Sequence, residues 1–297
     1  MMSSGNHSLF FIHLLMVVCA ALVSTSFIVG AAITDELDPA VLTFVRFVIA
    51  SIVFAPWIRY KYGATFNLAL FFRCSAISGI LVIFFWSMFL SLRYTTALNT
   101  SVIFTLIPSI SGVYAFFLVG ERLKRGQLIA LVFGMVGAMW VIFRGDFSAF
   151  LEMRWNKGDL IFLAGGFVLG LYTPLVKLLH RGEPMAVMTF WVLVTGSCLL
   201  LLFSGYKLLD VEWTYIPVNV WVGICYLAIF TTVITFFLTQ YVILFIGPTR
   251  VMAYSYLYPG LVLLIELTLG HGIPSFSVLP GVAIVLTSMF IIQHFEK

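Results

Sequence analysis

The sequence predicts an all-α polytopic membrane protein: ten transmembrane helices arranged as two inverted five-helix repeats, N-in and C-in. Three observations carry that prediction. Charged residues are only 9% of the 297 and hydrophobic residues 62%, with a mean hydropathy of +1.11. Soluble domains carry about 25% charge, so a chain this apolar cannot cover itself with polar surface and needs lipid as its solvent. The chain also says nearly the same thing twice. Pro39 to Phe44 reads P-A-V-L-T-F and Pro184 to Phe190 reads P-M-A-V-M-T-F, and Leu106-Ile107-Pro108 is matched later by Leu257-Tyr258-Pro259. Finally, ten apolar windows are long enough to cross a bilayer as helices with every backbone group satisfied inside the segment.

Those windows are residues 9–32, 39–58, 71–92, 96–119, 126–143, 159–180, 185–204, 218–241, 249–269 and 276–294. The first has no basic leader and is too long for a signal-peptide core, so it reads as a span and not as a cleaved signal. Spans two and seven open on the first repeated motif, and spans four and nine contain the second, each leading to a glycine near its end, Gly120 and Gly270. Span six is interrupted by Tyr172-Thr173-Pro174. It also carries Gly166-x-x-x-Gly170, a common small-residue pattern that internal helix packing explains better than dimerisation. The longest polar stretch, Arg144 to Asp159, joins spans five and six, which sets the two units at residues 1–145 and 146–297. The repeats align at an offset of about 146 residues early and about 151 later, so the second half holds a few extra residues, most simply between Tyr206 and Asn219. Chance likeness between apolar stretches is the alternative, and two anchors in the same order argue against it.

Lys and Arg set the orientation. With the N-terminus inside, Arg59, Lys61, Arg73, Arg122, Lys124, Arg125, Lys177, Arg181, Arg250 and Lys297 are cytoplasmic. Arg93, Arg144, Arg154, Lys157 and Lys207 face outward with the acidic loop Asp35-Glu36-Asp38, ten cations against five. Five spans per unit is an odd number, so the second unit inserts upside down, the arrangement of many secondary transporters, whose site lies between the repeats. The net charge of +4 is spread over short loops and is no nucleic-acid footprint. Cys19, Cys74, Cys198 and Cys225 fall in or beside apolar segments with no C-x-x-C pair, so disulfides, a metal and a cofactor are not expected.

Tyr94-Thr95-Thr96-Ala97, then Pro108, then Gly120-Glu121-Arg122-Leu123 and Gln127, followed by Gly134-x-x-Gly137, form the most specific run in the chain. With Arg46 in span two, this run resembles the EamA-type branch of the drug/metabolite transporter superfamily, and the resemblance extends over essentially the whole chain. The second half departs from the pattern: His271 stands where the family commonly has Glu, and the glycine of span ten arrives as Pro280-Gly281. The resemblance implies ten helices in two inverted repeats around a central cavity, moving small metabolites, often amino acids or related amphipathic compounds.

Arg46 is the sharpest single residue. About seven residues into span two puts it about 10 Å from the outer end at 1.5 Å per residue, too deep to snorkel easily. It is either a structural cation satisfied by carbonyls or an ion pair, or a contact for a substrate carboxylate or phosphate. Glu266 in span nine lies at comparable depth and is its natural counter-ion, as well as a proton-coupling candidate, against the reading of a wetted helix-end carboxylate. His13 is a candidate proton relay or a helix–helix hydrogen bonder. Pro108, Pro259 and Pro174 are hinge candidates, because a proline inside a helix frees a carbonyl and bends the axis. Trp86, Asn99, Tyr172, Gln240, Tyr254 and Tyr256 are candidate binding residues, although most aromatics in such a chain serve packing and interfacial belts. Glu121 and its basic neighbours read as helix capping and topology.

The function that fits is a secondary transporter for a small organic solute, exporting across a bacterial cytoplasmic membrane, as a monomer or homodimer, with a proton as the candidate coupling ion. Nothing resembles a P-loop. An integral-membrane enzyme acting on lipid or isoprenoid substrates is the alternative and would show clustered His or Asp at one membrane face, whereas here both are scattered. A channel or structural membrane protein explains paired prolines in repeated halves less well.

Overall fold

The computed structural model describes residues 9–63, 67–143, 146, 148, 156–269 and 276–294, and every regular element among them is helical. In chain order these are α1 (Leu9–Ile33), α2 (Pro39–Tyr62), α3 (Leu68–Ser91), α4 (Ala97–Ile103), α5 (Ile107–Val119), α6 (Arg125–Ile142) and α7 (Lys157–Leu169). They continue with α8 (Tyr172–Leu179), α9 (Met185–Ser204), α10 (Val218–Ala228), α11 (Thr235–Ile246), α12 (Pro248–Ala253), α13 (Tyr258–Thr268) and α14 (Leu279–His294). Taken with the short turns that join them, seven helical segments are long and apolar enough to cross a membrane. Three further apolar stretches are shorter or broken: α6, α14 and the run from α12 to α13. The chain is therefore a multi-pass helical membrane protein. Large apolar side chains such as Phe72, Phe117, Leu202 and Phe203 stand well exposed on its flanks, as expected where lipid replaces water.

The helix ends are written locally. Asp38 caps α2 by accepting from Ala40 N at 2.9 Å, and Asn67 caps α3 by accepting from Ala69 N at 2.9 Å. Asn156 and Asp159 bond each other's backbone N–H in a capping box that starts α7. Gly120 ends α5 with φ +67°, a left-handed conformation that glycine adopts without strain.

Three predicted spans are not continuous helices. A 3-10 turn, Phe104–Leu106, separates α4 from α5 just before Pro108, and another, Tyr254–Leu257, lies between α12 and α13 just before Pro259. Span six breaks at Gly170-Leu171, with Pro174 in the first turn of α8. Each proline occupies the opening turn of the helix that follows, where its missing N–H costs nothing. Two short 3-10 turns, Gly205–Leu208 and Trp213–Tyr215, fill the segment that the repeat offset marks as longer.

Neighbours in space exchange between the halves. α3 packs on α7 and α9, while the α10–α11 segment packs on α1 and α2. α6 lies against α14, backbone on backbone: a Cβ on Gly137 would stand 3.0 Å from the Gly281 carbonyl oxygen, and one on Gly281 would stand 2.8 Å from that of Gly137. Their contact forms a small separate core with Ala130, Leu131, Tyr256 and Val285, while the main core gathers the remaining helices. Gly170 packs tightly on Ile110, so the small-residue pattern of span six is used inside the bundle.

Candidate functional site

α2 carries Arg46 to complete burial, 0% exposed. An arginine among apolar helices costs at least ~2.5 kcal/mol unless its donors are met. The partner is an irregularity in the segment that packs on α2: between α10 and α11 the chain makes a π-helical turn, Ile229–Ile234. Such a turn widens the helix and loosens its carbonyls from the regular ladder. Thr232 Oγ1 there accepts from Arg46 Nε, while Nη2 donates to the Thr231 carbonyl at 2.9 Å and to Thr231 Oγ1 at 3.0 Å. Both hydroxyls donate to the Leu227 carbonyl, at 3.0 and 2.8 Å, which orients their lone pairs toward the guanidinium. Arg46 Cζ lies 4.3 Å from the centroid of the Phe85 ring, a cation–π contact that desolvation strengthens. Phe85 in turn stacks on Phe236, centroids 5.8 Å apart. Nη1 is left, a buried donor with no hydrogen-bond partner among the described residues.

Arg46 borders a central cavity of about 80 Å³. Its wall mixes aromatic side chains, Phe27, Phe84, Phe104 and Tyr258 among them, with aliphatic ones, and Ser26, Thr231, Thr235 and Thr239 bring hydroxyls to it. Helices before and after the polar joint contribute: α1, α2 and α3 from one side, α11, α12 and α13 from the other. α6 and α14 contribute nothing to the wall as described. The volume suits a few waters or one small polar group and falls below the ~300 Å³ at which metabolite pockets begin. As it stands, the space beside Arg46 is too small to hold a metabolite.

The predicted residues separate into groups. Tyr172 lines the cavity and accepts from Gln240 Nε2 at 3.3 Å, and Gln240 Oε1 takes the Thr189 hydroxyl at 2.7 Å, so a chain of polar groups runs outward from the wall. His13 Nδ1 shares a short hydrogen bond with the Tyr254 hydroxyl, joining α1 to the turn before Pro259. Tyr256 faces the other way, donating to the Leu131 carbonyl at 3.0 Å in the small core of α6 and α14. Asn99 donates to Thr95 Oγ1 at 3.2 Å, and that hydroxyl donates to Asp159 at 2.7 Å, a cluster at the starts of α4 and α7 outside the cavity. Trp86 is 41% exposed on the outer side of α3, because the helix turns Phe85 inward and its neighbour outward. Glu266 lies on α13 and its side chain is outside the described residues, as are Gly270 and His271 entirely.

Composition and motifs passed over the threonines. Thr231, Thr235 and Thr239 recur at four-residue steps through an apolar segment, which puts them on one face of a helix. That stripe was the available signal. Arg46 itself has no counterpart in the other half: at the early offset of 146 its equivalent is Val192, buried and apolar.

The profile of the EamA-like transporter family matches residues 10–143 and, separately, residues 156–293. The chain belongs to the EamA-like transporter family. An uncharacterized transporter of Archaeoglobus fulgidus is 26% identical over 250 residues, covering 83% of this chain and 85% of its own. YyaM, an uncharacterized transporter of Bacillus subtilis, is 26% identical over 213 residues, covering 71% of this chain and 70% of its own. A solved crystal structure superimposes with a TM-score of 0.69 at 16% identity, covering 93% of this chain and 94% of that one, a likeness of fold alone. Family and relatives alike make the chain a membrane transporter.

Proposed function

We propose that this EamA-like chain is a secondary transporter that moves small organic metabolites, amino acids or related amphipathic compounds, outward across a bacterial cytoplasmic membrane by alternating access. Ten spans form two inverted units, residues 1–145 and 146–297, with both termini inside. The exchange of neighbours between α3 and the α10–α11 segment supports that arrangement, as do the matching breaks before Pro108 and Pro259. The observation that carries the reading is the small cavity at Arg46, walled by helices from both halves. Alternating access needs a site that each half covers in turn. The broken helices at Pro108, Pro259 and Pro174 are where the walls would bend, and a gradient of substrate or protons would drive the cycle. One chain encloses the cavity, so the transport unit is a protomer, whether the protein is a monomer or a homodimer.

Counterflow into proteoliposomes, with labelled amino acids, purines and organic acids, tests this directly. Accumulation of one class above empty liposomes is expected. Well-folded protein that accumulates nothing would sink the proposal and redirect the search to lipid substrates.

A further inference from the structure

Arg46 sits in its cavity as a half-finished ion pair. Its Nε and Nη2 are taken by Thr232 and Thr231, its face by Phe85, and only its Nη1 lacks a partner among the described residues. Among the described residues lining the cavity none is an Asp or Glu, and none but Arg46 is a cation. A single positive charge thus stands beside a small, largely apolar space with an open donor and no described counter-charge.

We infer that Arg46 Nη1 is the anchor for the carboxylate of the transported compound, and that the site selects amphipathic monoanions. This deepens the transporter reading and rests on it. The argument is one of charge balance. A buried unpaired ion is costly, and an opposite charge within hydrogen-bond reach removes most of that cost. One carboxylate makes the cavity neutral. A phosphate monoester would bring about two charges and leave one unmatched, since no second cation is among the described residues of the wall. An α-amino acid would bring its own ammonium, with hydroxyls and rings but no lining carboxylate to receive it, so the class suggested by family resemblance narrows to simple carboxylic acids.

Geometry adds a second restriction. Both edges of the guanidinium that could clamp an anion at two points, Nε with Nη2 and Nη1 with Nη2, need Nη2, which donates to the Thr231 carbonyl and hydroxyl. Nη1 offers an end-on contact to one oxygen. Recognition then depends on charge more than on the planar shape of the anion, and the apolar body is held by rings such as Phe27, Phe84 and Phe104. The cavity has to widen from about 80 Å³ to accept that body, which places binding in a more open arrangement of the same walls.

The test is binding to purified wild-type protein in nanodiscs, by calorimetry. The probes are 3-phenylpropionate, its neutral amide, phenylalanine and phenyl phosphate. Truncating one partner of a buried charge pair weakens binding at least about 30-fold. The acid is expected to bind, with amide, zwitterion and dianion weaker by about that factor. Arg46→Met should bring the acid down to the level of the amide. Equal wild-type affinity for acid and amide, tighter binding of the zwitterion or dianion, or no binding of any probe would overturn the inference, and none of these needs a folded mutant. Counterflow is scored separately. Transport of a neutral or zwitterionic compound unaffected by Arg46→Met would sink the monoanion site and leave the transporter standing. Selective binding of the acid without counterflow of any compound would do the reverse.

Discussion

At the scale of the residue, burial of Arg46 is balanced by two threonines and one ring. Thr232→Val keeps the shape of the side chain but removes the acceptor for Nε, leaving a second unmet donor beside Nη1. Orphaning a buried donor costs about 1–3 kcal/mol, more for a charged one, so a clear drop in melting temperature is expected in detergent. Thr239→Val is the control: Thr239 lines the same cavity but makes a weak contact to Cys19 Sγ at 3.6 Å. If both variants melt alike, the hydrogen bond to Arg46 is not what holds the guanidinium. Arg46 itself was legible in the sequence, because a lone cation seven residues into an apolar window has few explanations. Thr231 and Thr232 were not, since threonine is common in membrane helices and only the π turn gives these two their direction.

At the scale of the element, irregular helices do the positioning. The 3-10 turns before Pro108 and Pro259 and the break at Gly170-Leu171 interrupt three helices of the bundle. If these are hinges, Pro108→Ala will slow counterflow severalfold while leaving affinity for the transported compound close to wild type; a purely structural proline would instead change the melting temperature and leave the rate alone. The crossing of α6 and α14 makes a sharper packing prediction. Gly281→Val puts a side chain against the Gly137 carbonyl and Trp140 and should cost about 1–3 kcal/mol of stability through overpacking. Gly79→Ala, with nothing within 4 Å of the added carbon, should not. The prolines and glycines were readable as punctuation, but the partner of each was not: Gly137 meets Gly281 across 144 positions of chain, a distance no local pattern spans.

At the scale of the whole molecule, helix ends are tied across the two halves at both faces. Lys207 Nζ bonds Asp38 Oδ2 at 2.9 Å, holding the segment after α9 to the start of α2. Arg73 bonds Glu183 at 2.8 Å, and Glu121 accepts from the Thr249 hydroxyl at 2.7 Å. For Asp38, partial burial alone would raise the carboxyl, but the donors from Lys207 and Ala40 outweigh it and hold it below the ordinary aspartate value. A depressed folded pKa means stabilisation that is complete above the unfolded value, about 4, and lost as pH falls through the lower folded value. The acid side of a melting-temperature profile should therefore flatten in Asp38→Asn, and an unchanged profile would show that the pair is idle. Orientation is tested by impermeant thiol labelling of intact cells, in a background with the native cysteines replaced. Lys207→Cys should label and Lys61→Cys should not; the opposite pattern would invert the proposed topology.

Composition alone was enough to place this chain in a membrane, because 9% charge cannot wet a surface of this size. The repeated motifs pointed to a duplicated architecture and the proline pairs to its broken helices, since both are local and survive in a one-dimensional reading. Which side chains share a space was decided only by tertiary packing. Tyr172 and Gln240 came together, Tyr256 and Asn99 turned to other work, and Trp86, one residue from the ring that holds Arg46, faces outward. The reason is geometric: in a bilayer both the inner and the lipid-facing sides of a helix are apolar, so the polar–apolar periodicity that tells the inside of a soluble helix is missing. Only the packed bundle distinguishes the cavity wall from the lipid face.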